Sequence, residues 1–226
     1  MRSLGIFGDS IIRGVVLDEI RGRYRYMKDS FADILHKSTG IEIRNYGKLG
    51  CTIREGEKLI EQHAAEISAY QYIVLEFGGN DCDMDWKAVS EDPDQSHEAK
   101  TPLAEFEATY CKIIDRIRSM GSQPILFSLP PIDSDRYFAW ISRGLNADNI
   151  LKWIGDVDHI YRWQEMYNVA VIKLAAYKNV PLIDIRNAFL GARNYHDLYC
   201  GDGIHPNETG HALITRTVQD YFAALA

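Results

Sequence analysis

The chain has 226 residues, 46% hydrophobic and 25% charged, which is the composition of a folded globular protein and not of a disordered, collagenous or membrane-spanning one. Its 25 Lys and Arg against 32 Asp and Glu give a formal net charge of −7, which argues against a broad phosphate-binding face and so against a dedicated nucleic-acid binder. At about 150 residues per domain the length favours a single domain over 1–226 with insertions, large enough to hold a core without disulfides or a structural metal.

Residues 1–16 are apolar but carry Asp9 and Arg13, and no small-residue cleavage site follows, so they do not read as a signal peptide. No stretch approaches the roughly 20 apolar residues of a membrane-spanning helix. Cys51, Cys82, Cys111 and Cys200 are far apart and form no CxxC pair, which disfavours a zinc site and a disulfide framework alike. Reduced thiols in a cytoplasm are the expectation, with no cofactor and no metal. Asn207-Glu208-Thr209 matches a glycosylation sequon, read here as chance.

In chain order, the apolar run 4–8 predicts a buried strand that stops at Gly8-Asp9-Ser10. A helix follows over 31–37, a second strand over 41–46 and a helix over 54–67. The run 72–77, Tyr-Ile-Val-Leu-Glu-Phe, is the third strand, followed by a helix over 103–120 and a fourth strand over 124–129. A long helix over 157–177 places Ile160, Trp163, Tyr167, Ala170 and Leu174 on one face. The fifth strand is 180–185, and a last helix after Pro206 carries Ile214, Val218, Tyr221 and Leu225 as its apolar stripe. Strands alternating with helices predict a mostly parallel sheet covered on both faces, an α/β three-layer sandwich. In such sheets ligands sit beyond the carboxyl ends of the strands, where strand order reverses.

The loops at those ends are unusual. Ser10 opens a helix, where it either caps the helix or lies among free N–H groups that favour a developing oxyanion. Asn45-Tyr46-Gly47-Lys48-Leu49-Gly50 holds two glycines three apart, either a tight turn or a close approach to a ligand with a glycine N–H as donor. Gly78-Gly79-Asn80-Asp81 offers a side-chain amide at the end of a strand, or ordinary turn chemistry. In Asp202-Gly203-Ile204-His205-Pro206, the aspartate three residues ahead of the histidine can hold one imidazole nitrogen protonated and leave the other free to accept a proton. Proline there suits the first turn of the helix that follows.

These four segments, in this order, resemble the four blocks of the SGNH hydrolases, the GDSL esterase and lipase family, over 4–211. The resemblance implies a flavodoxin-like fold with five parallel strands and hydrolysis of an ester or thioester through a serine-bound acyl intermediate. By position it makes Ser10 the nucleophile, His205 the general base and acid, and Asp202 its orienting partner. The oxyanion hole would be the Ser10 N–H, the Gly50 N–H and the Asn80 amide. No Gly-x-Ser-x-Gly occurs, which argues against the separate α/β-hydrolase solution.

Two stretches, 82–102 and 133–163, exceed what the sheet needs and leave its carboxyl end as lid-like insertions. They contain all four tryptophans: Trp86, Trp140, Trp153 and Trp163. Trp86, Trp140 and Trp153 are read as substrate-binding, stacking on sugars or gripping an acyl chain; the alternatives are packing of the insertions onto the core or a subunit contact, which leaves room for a homo-oligomer. The first insertion is strongly acidic, which disfavours polyanionic substrates such as lipid surfaces or nucleic acid. The reading is a serine esterase for short acyl groups, with acetylated carbohydrate as one substrate, binding neither nucleic acid nor membrane. A thioesterase or acyltransferase of the same family, or an inactive ligand-binding module, are the alternatives.

Overall fold

The computed structural model describes residues 3–224. In chain order the elements are β1 (Ser3–Gly8), α1 (Ser10–Arg13), β2 (Val15–Asp18), β3 (Arg23–Tyr26), α2 (Phe31–Thr39), β4 (Glu42–Asn45), α3 (Ile53–Gln62), α4 (Ala64–Ile67) and β5 (Tyr72–Glu76). They continue as α5 (Trp86–Glu91), α6 (Leu103–Ser119), β6 (Gln123–Phe127), α7 (Ser134–Ile141), α8 (Ala147–Ile154), α9 (Asp158–Tyr177), β7 (Leu182–Ile183), α10 (Ile185–Leu190) and α11 (Glu208–Ala224). Leu225, assigned to the stripe of the last helix, lies outside the described residues.

The five anticipated strands pair in parallel in the order β4-β1-β5-β6-β7. In β1, β5 and β6 alternate residues face opposite sides and both sides are apolar, which is why these strands read as hydrophobic runs, whereas β4 at the sheet edge is polar and partly exposed. Phe7, Ile73, Leu75 and Leu126 join the core under α3, α6 and α9. Leu4, Ile6, Val74, Ile125 and Phe127 join the core under α2, α10 and α11. The result is the α/β/α sandwich. From β1 the chain passes outward to β4 and then returns to β5 on the other side, so the reversal of strand order lies between the carboxyl ends of β1 and β5.

Four features depart from the expectation. The segment after α1 forms an antiparallel hairpin, β2 with β3, in register Val15 to Tyr26 and Asp18 to Arg23. The helix expected over 54–67 breaks at His63, whose backbone leaves helical values (φ −104, ψ 14), while its ring packs on Tyr46 and its Nδ1 pairs with Glu66 at 2.8 Å. The fifth strand is cut to two residues because Asp184 caps α10, accepting from the Asn187 N–H at 3.1 Å and from the Ser128 hydroxyl at 2.9 Å. The last helix follows Pro206 as expected, but the proline stops short of its first turn, and Asn207 accepts the N–H groups of Thr209 and Gly210. The same Asn207 donates its amide to the carbonyls of Asp197 and Tyr199, so the sequon asparagine is committed to the fold.

The insertions are not open loops. α5, α7 and α8 meet around Val89, Ile132, Tyr137, Ile150, Ile154 and Ile160, a small core of their own beyond the carboxyl end of the sheet. Asp83 ties the two insertions together: one carboxylate oxygen accepts from Trp86 Nε1 at 2.7 Å and from the Tyr137 hydroxyl at 2.6 Å, the other from Lys100 at 2.7 Å.

Candidate active site

Ser10 is the first residue of α1, directly after β1. α1 has only four residues before Gly14 ends it in left-handed conformation (φ 74), so its dipole is small and the serine's environment is set by individual groups. Asp9 takes the cap instead of Ser10, accepting from the Ile11 N–H at 2.8 Å and leaving the Ser10 hydroxyl for another partner. That partner is His205, whose Nε2 lies 2.9 Å from Ser10 Oγ.

His205 and Asp202 share one turn of chain. His205 Nδ1 is 2.7 Å from Asp202 Oδ2, and Asp202 Oδ1 accepts the backbone N–H groups of Ile204 and His205 at 3.2 and 3.1 Å. Gly203 makes this turn possible: its φ is +75, and a Cβ there would come within 2.5 Å of the Asp133 carbonyl. Asp202 is fully buried, and burial acts to raise its carboxyl, but the hydrogen bonds and charge of His205 outweigh that and hold it below the ordinary carboxylate range.

The second and third segments are latched onto the first. Asn45 donates its amide to the Ile12 carbonyl at 2.8 Å, and the Lys48 N–H bonds the Gly8 carbonyl at 3.1 Å. Gly50 takes left-handed backbone (φ +75) at the cavity wall. Asp81, raised to about 6 chiefly by burial, accepts the Ile53 N–H with both oxygens, so the loop bearing Asn80 is pinned to the start of α3 just beyond Gly50. Asn80 Nδ2 in turn donates to Asp9 Oδ2 at 2.9 Å, which fixes the amide plane beside Ser10.

A cavity of about 380 Å³ opens over these groups. Ser10, Gly50, Asn80, His205, Trp86, Trp140 and Trp153 all line it, and Trp163 with them; Asp202 stands behind His205 and off the wall. The tryptophans also hold the insertions in place: Trp163 Nε1 donates to the Cys82 carbonyl at 2.9 Å, and Trp86 and Trp153 meet edge to face at 6.4 Å. The same side chains therefore line the cavity and pack the insertions onto the core.

Sequence reasoning missed two side chains here. Tyr24, delivered by β3, packs its ring on the His205 imidazole with centroids 4.6 Å apart. Burial, and then the Asp202 carboxylate, push the Tyr24 phenol up. The hairpin is fastened to the segment that carries the histidine, since the Gly201 N–H donates to Glu19 at 2.6 Å and the Leu17 N–H to Cys200 Sγ at 3.4 Å. The Tyr24/Tyr26 alternation was the available signal. Glu76, the last residue of β5, also lines the cavity; a lone acid closing an apolar strand was its signal. The cysteines near the motifs are free and buried, and burial pushes the Cys51 thiol to about 12 and that of Cys200 to about 11, so neither is a poised thiolate.

The profile of the GDSL-like lipase/acylhydrolase family matches residues 6–213. Among solved structures, a lipase/acylhydrolase from Enterococcus faecalis superposes with a TM-score of 0.70 at 21% identity, covering 98% of this chain and 95% of the other. A member of the lipolytic G-D-S-L family from Veillonella parvula gives 0.65 at 21% identity over 99% of both chains. A catalytic mutant of an acetylxylan esterase from Geobacillus stearothermophilus gives 0.65 at 18% identity over 97% and 93%. A search of curated proteins finds no match. Among the described residues no helix is long and apolar enough to cross a membrane. The chain belongs to the GDSL-like lipase/acylhydrolase family, and its activity is of the serine ester hydrolase type.

Proposed function

We propose that this protein hydrolyses carboxylic esters of short acyl groups, acetyl among them, on a small-molecule or carbohydrate alcohol, with Ser10 as nucleophile. The observation that carries the reading is the chain of contacts from Ser10 Oγ to His205 Nε2 at 2.9 Å and from His205 Nδ1 to Asp202 Oδ2 at 2.7 Å. His205 takes the Ser10 proton as Oγ attacks the carbonyl carbon, and the carbonyl π pair moves onto oxygen. The Ser10 N–H, the Gly50 N–H and the second amide hydrogen of Asn80 receive that oxyanion. His205 then protonates the departing alkoxide, leaving the acyl group on Ser10, and water repeats the sequence to free the acid. The tryptophan-lined wall supports a ring-bearing alcohol, because aromatic faces stack on the apolar faces of sugars.

The test is a series of nitrophenyl esters from acetyl to decanoyl together with acetylated oligosaccharides, and fluorophosphonate labelling mapped by mass spectrometry. Labelling at Ser10 and the highest kcat/KM on acetyl are expected. Preference for octanoyl or longer chains would overturn the acyl assignment, and labelling elsewhere would overturn the nucleophile.

A further inference from the structure

Two carboxyl groups share the buried ground beneath the proposed oxyanion donors. Asp9 is 2% exposed and Glu76 is 1% exposed. They come from neighbouring strands of the sheet, at the carboxyl ends of β1 and β5, where Gly8 pairs with Glu76. The Asp9 N–H donates to Glu76 Oε2 at 3.4 Å, while Glu76 Oε1 has no hydrogen-bond partner among the described residues. Asp9 spends one oxygen on the Ile11 N–H and the other on the Asn80 amide. The titratable groups facing Glu76 from the packed elements are Asp9, Asp81 and, from α6, Tyr110; His205 faces Asp9. Two acids and a phenol face Glu76, and none of them favours its ionised form.

Resting on the serine-esterase reading above, we propose that Glu76 is a positioning residue: it carries the one proton of the Asp9–Glu76 pair and donates it in a hydrogen bond to Asp9, so that a single negative charge anchors the Asn80 amide. Two like charges at this separation from water cannot both persist. Burial drives both acids upward, Glu76 further, and the hydrogen bond between them raises Glu76 while lowering Asp9, which places the proton on Glu76. The consequence for catalysis is electrostatic. One carboxylate behind Asn80 engages one amide hydrogen and so holds the amide in plane with its other hydrogen free; a second negative charge there would add to the repulsion of the oxyanion that the amide receives.

The sign of the pH dependence follows. A folded-state carboxyl raised above its unfolded value keeps its proton in the native chain over a range where the unfolded chain has lost it. The associated stability is complete below the unfolded value and is lost as pH rises through the folded one. Catalysis and stability should therefore both decline on the alkaline side.

The test compares wild type, Glu76→Leu, Glu76→Gln, Asn80→Ala and the double variant Glu76→Leu/Asn80→Ala on one nitrophenyl ester. Asn80→Ala should lower kcat by about 10² to 10³, the range for loss of one oxyanion donor. Glu76→Leu should lower kcat by roughly 10-fold or more within that ceiling, with KM little changed, and should add almost nothing in the Asn80→Ala background. Glu76→Gln, whose amide still donates to Asp9, should recover most of the lost rate and shift the alkaline decline of both kcat and thermal stability. Losses that multiply in the double variant, or a Gln variant as slow as the Leu variant, would overturn the proposal. Should Glu76→Leu fail to fold, identical alkaline profiles for wild type and Glu76→Gln would overturn it as well. A wild type without Ser10-dependent turnover removes the esterase reading and this inference together, whereas normal turnover with multiplicative losses removes this inference alone.

Discussion

Ser10→Ala should lower kcat by on the order of 10⁶ and leave the fold intact, as is seen where nucleophile and base act as a unit. The hydroxyl bonds His205, so its removal takes away that hydrogen bond and leaves a ring nitrogen facing the cavity. The expected stability cost is about 1 kcal/mol, a small shift in thermal unfolding. If Oγ and Nε2 act in one proton transfer, as proposed, His205→Ala in the Ser10→Ala background should cost little more. Residual turnover well above that of water would remain from the oxyanion donors and binding. The measurement is steady-state kinetics with burst analysis of acyl-enzyme formation, alongside a melting curve. Turnover near that of the wild type in Ser10→Ala would remove this residue from the chemistry.

The parallel sheet was legible because each of its longer strands is buried on both faces, and a run such as Tyr72–Glu76 has few other ways to satisfy its side chains. The four motif segments were legible for a different reason. Each is local, and the sheet topology carries their ends to one crevice without any further signal. The β2–β3 hairpin was not, because its strands are four residues each and β3 turns Arg23 and Arg25 outward. Its docking depends on contacts with residues nearly two hundred positions away, such as Glu19 with the Gly201 N–H. Tyr24 could not be placed on His205 until that docking was known. The short helices of the insertions failed for want of length: α7 and α8 run eight residues each, too few for a 3.6-residue period to stand out. Their caps, Asp133 and Asn146, were the overlooked signs, each accepting the N–H three residues on at 3.1 Å. Glu76 was passed over because an acid within an apolar run reads as an imperfection in the strand. Only the neighbouring Asp9, reached through strand pairing, gives it meaning.

Asp202→Asn should cost on the order of 10⁴ in kcat with the geometry of the site preserved, as for loss of the orienting carboxylate in serine proteases. The local hydrogen bonds say why the amide would be trapped in the unproductive orientation. Asp202 Oδ1 accepts two backbone N–H groups, from Ile204 and His205, and only an oxygen can do this. An asparagine must keep its carbonyl oxygen there, which turns its NH₂ toward His205 Nδ1, where Oδ2 now lies at 2.7 Å. Nδ1 then has to accept, so the proton of the neutral ring moves to Nε2. A protonated Nε2 can donate to Ser10 Oγ but cannot take its proton, and the attack loses its base. Tyr24, packed on the ring face, restricts the rotation that would otherwise exchange the two nitrogens. The wild-type carboxylate also carries a pH signature. Held below its unfolded value by His205, it contributes stability above that value and loses it as pH falls through the depressed range; the asparagine variant lacks this dependence. Kinetics on a nitrophenyl ester and thermal unfolding across acid pH check both halves. An asparagine variant within 10-fold of the wild-type kcat, a small fraction of the expected loss, would mean that His205 reaches the productive tautomer without Asp202.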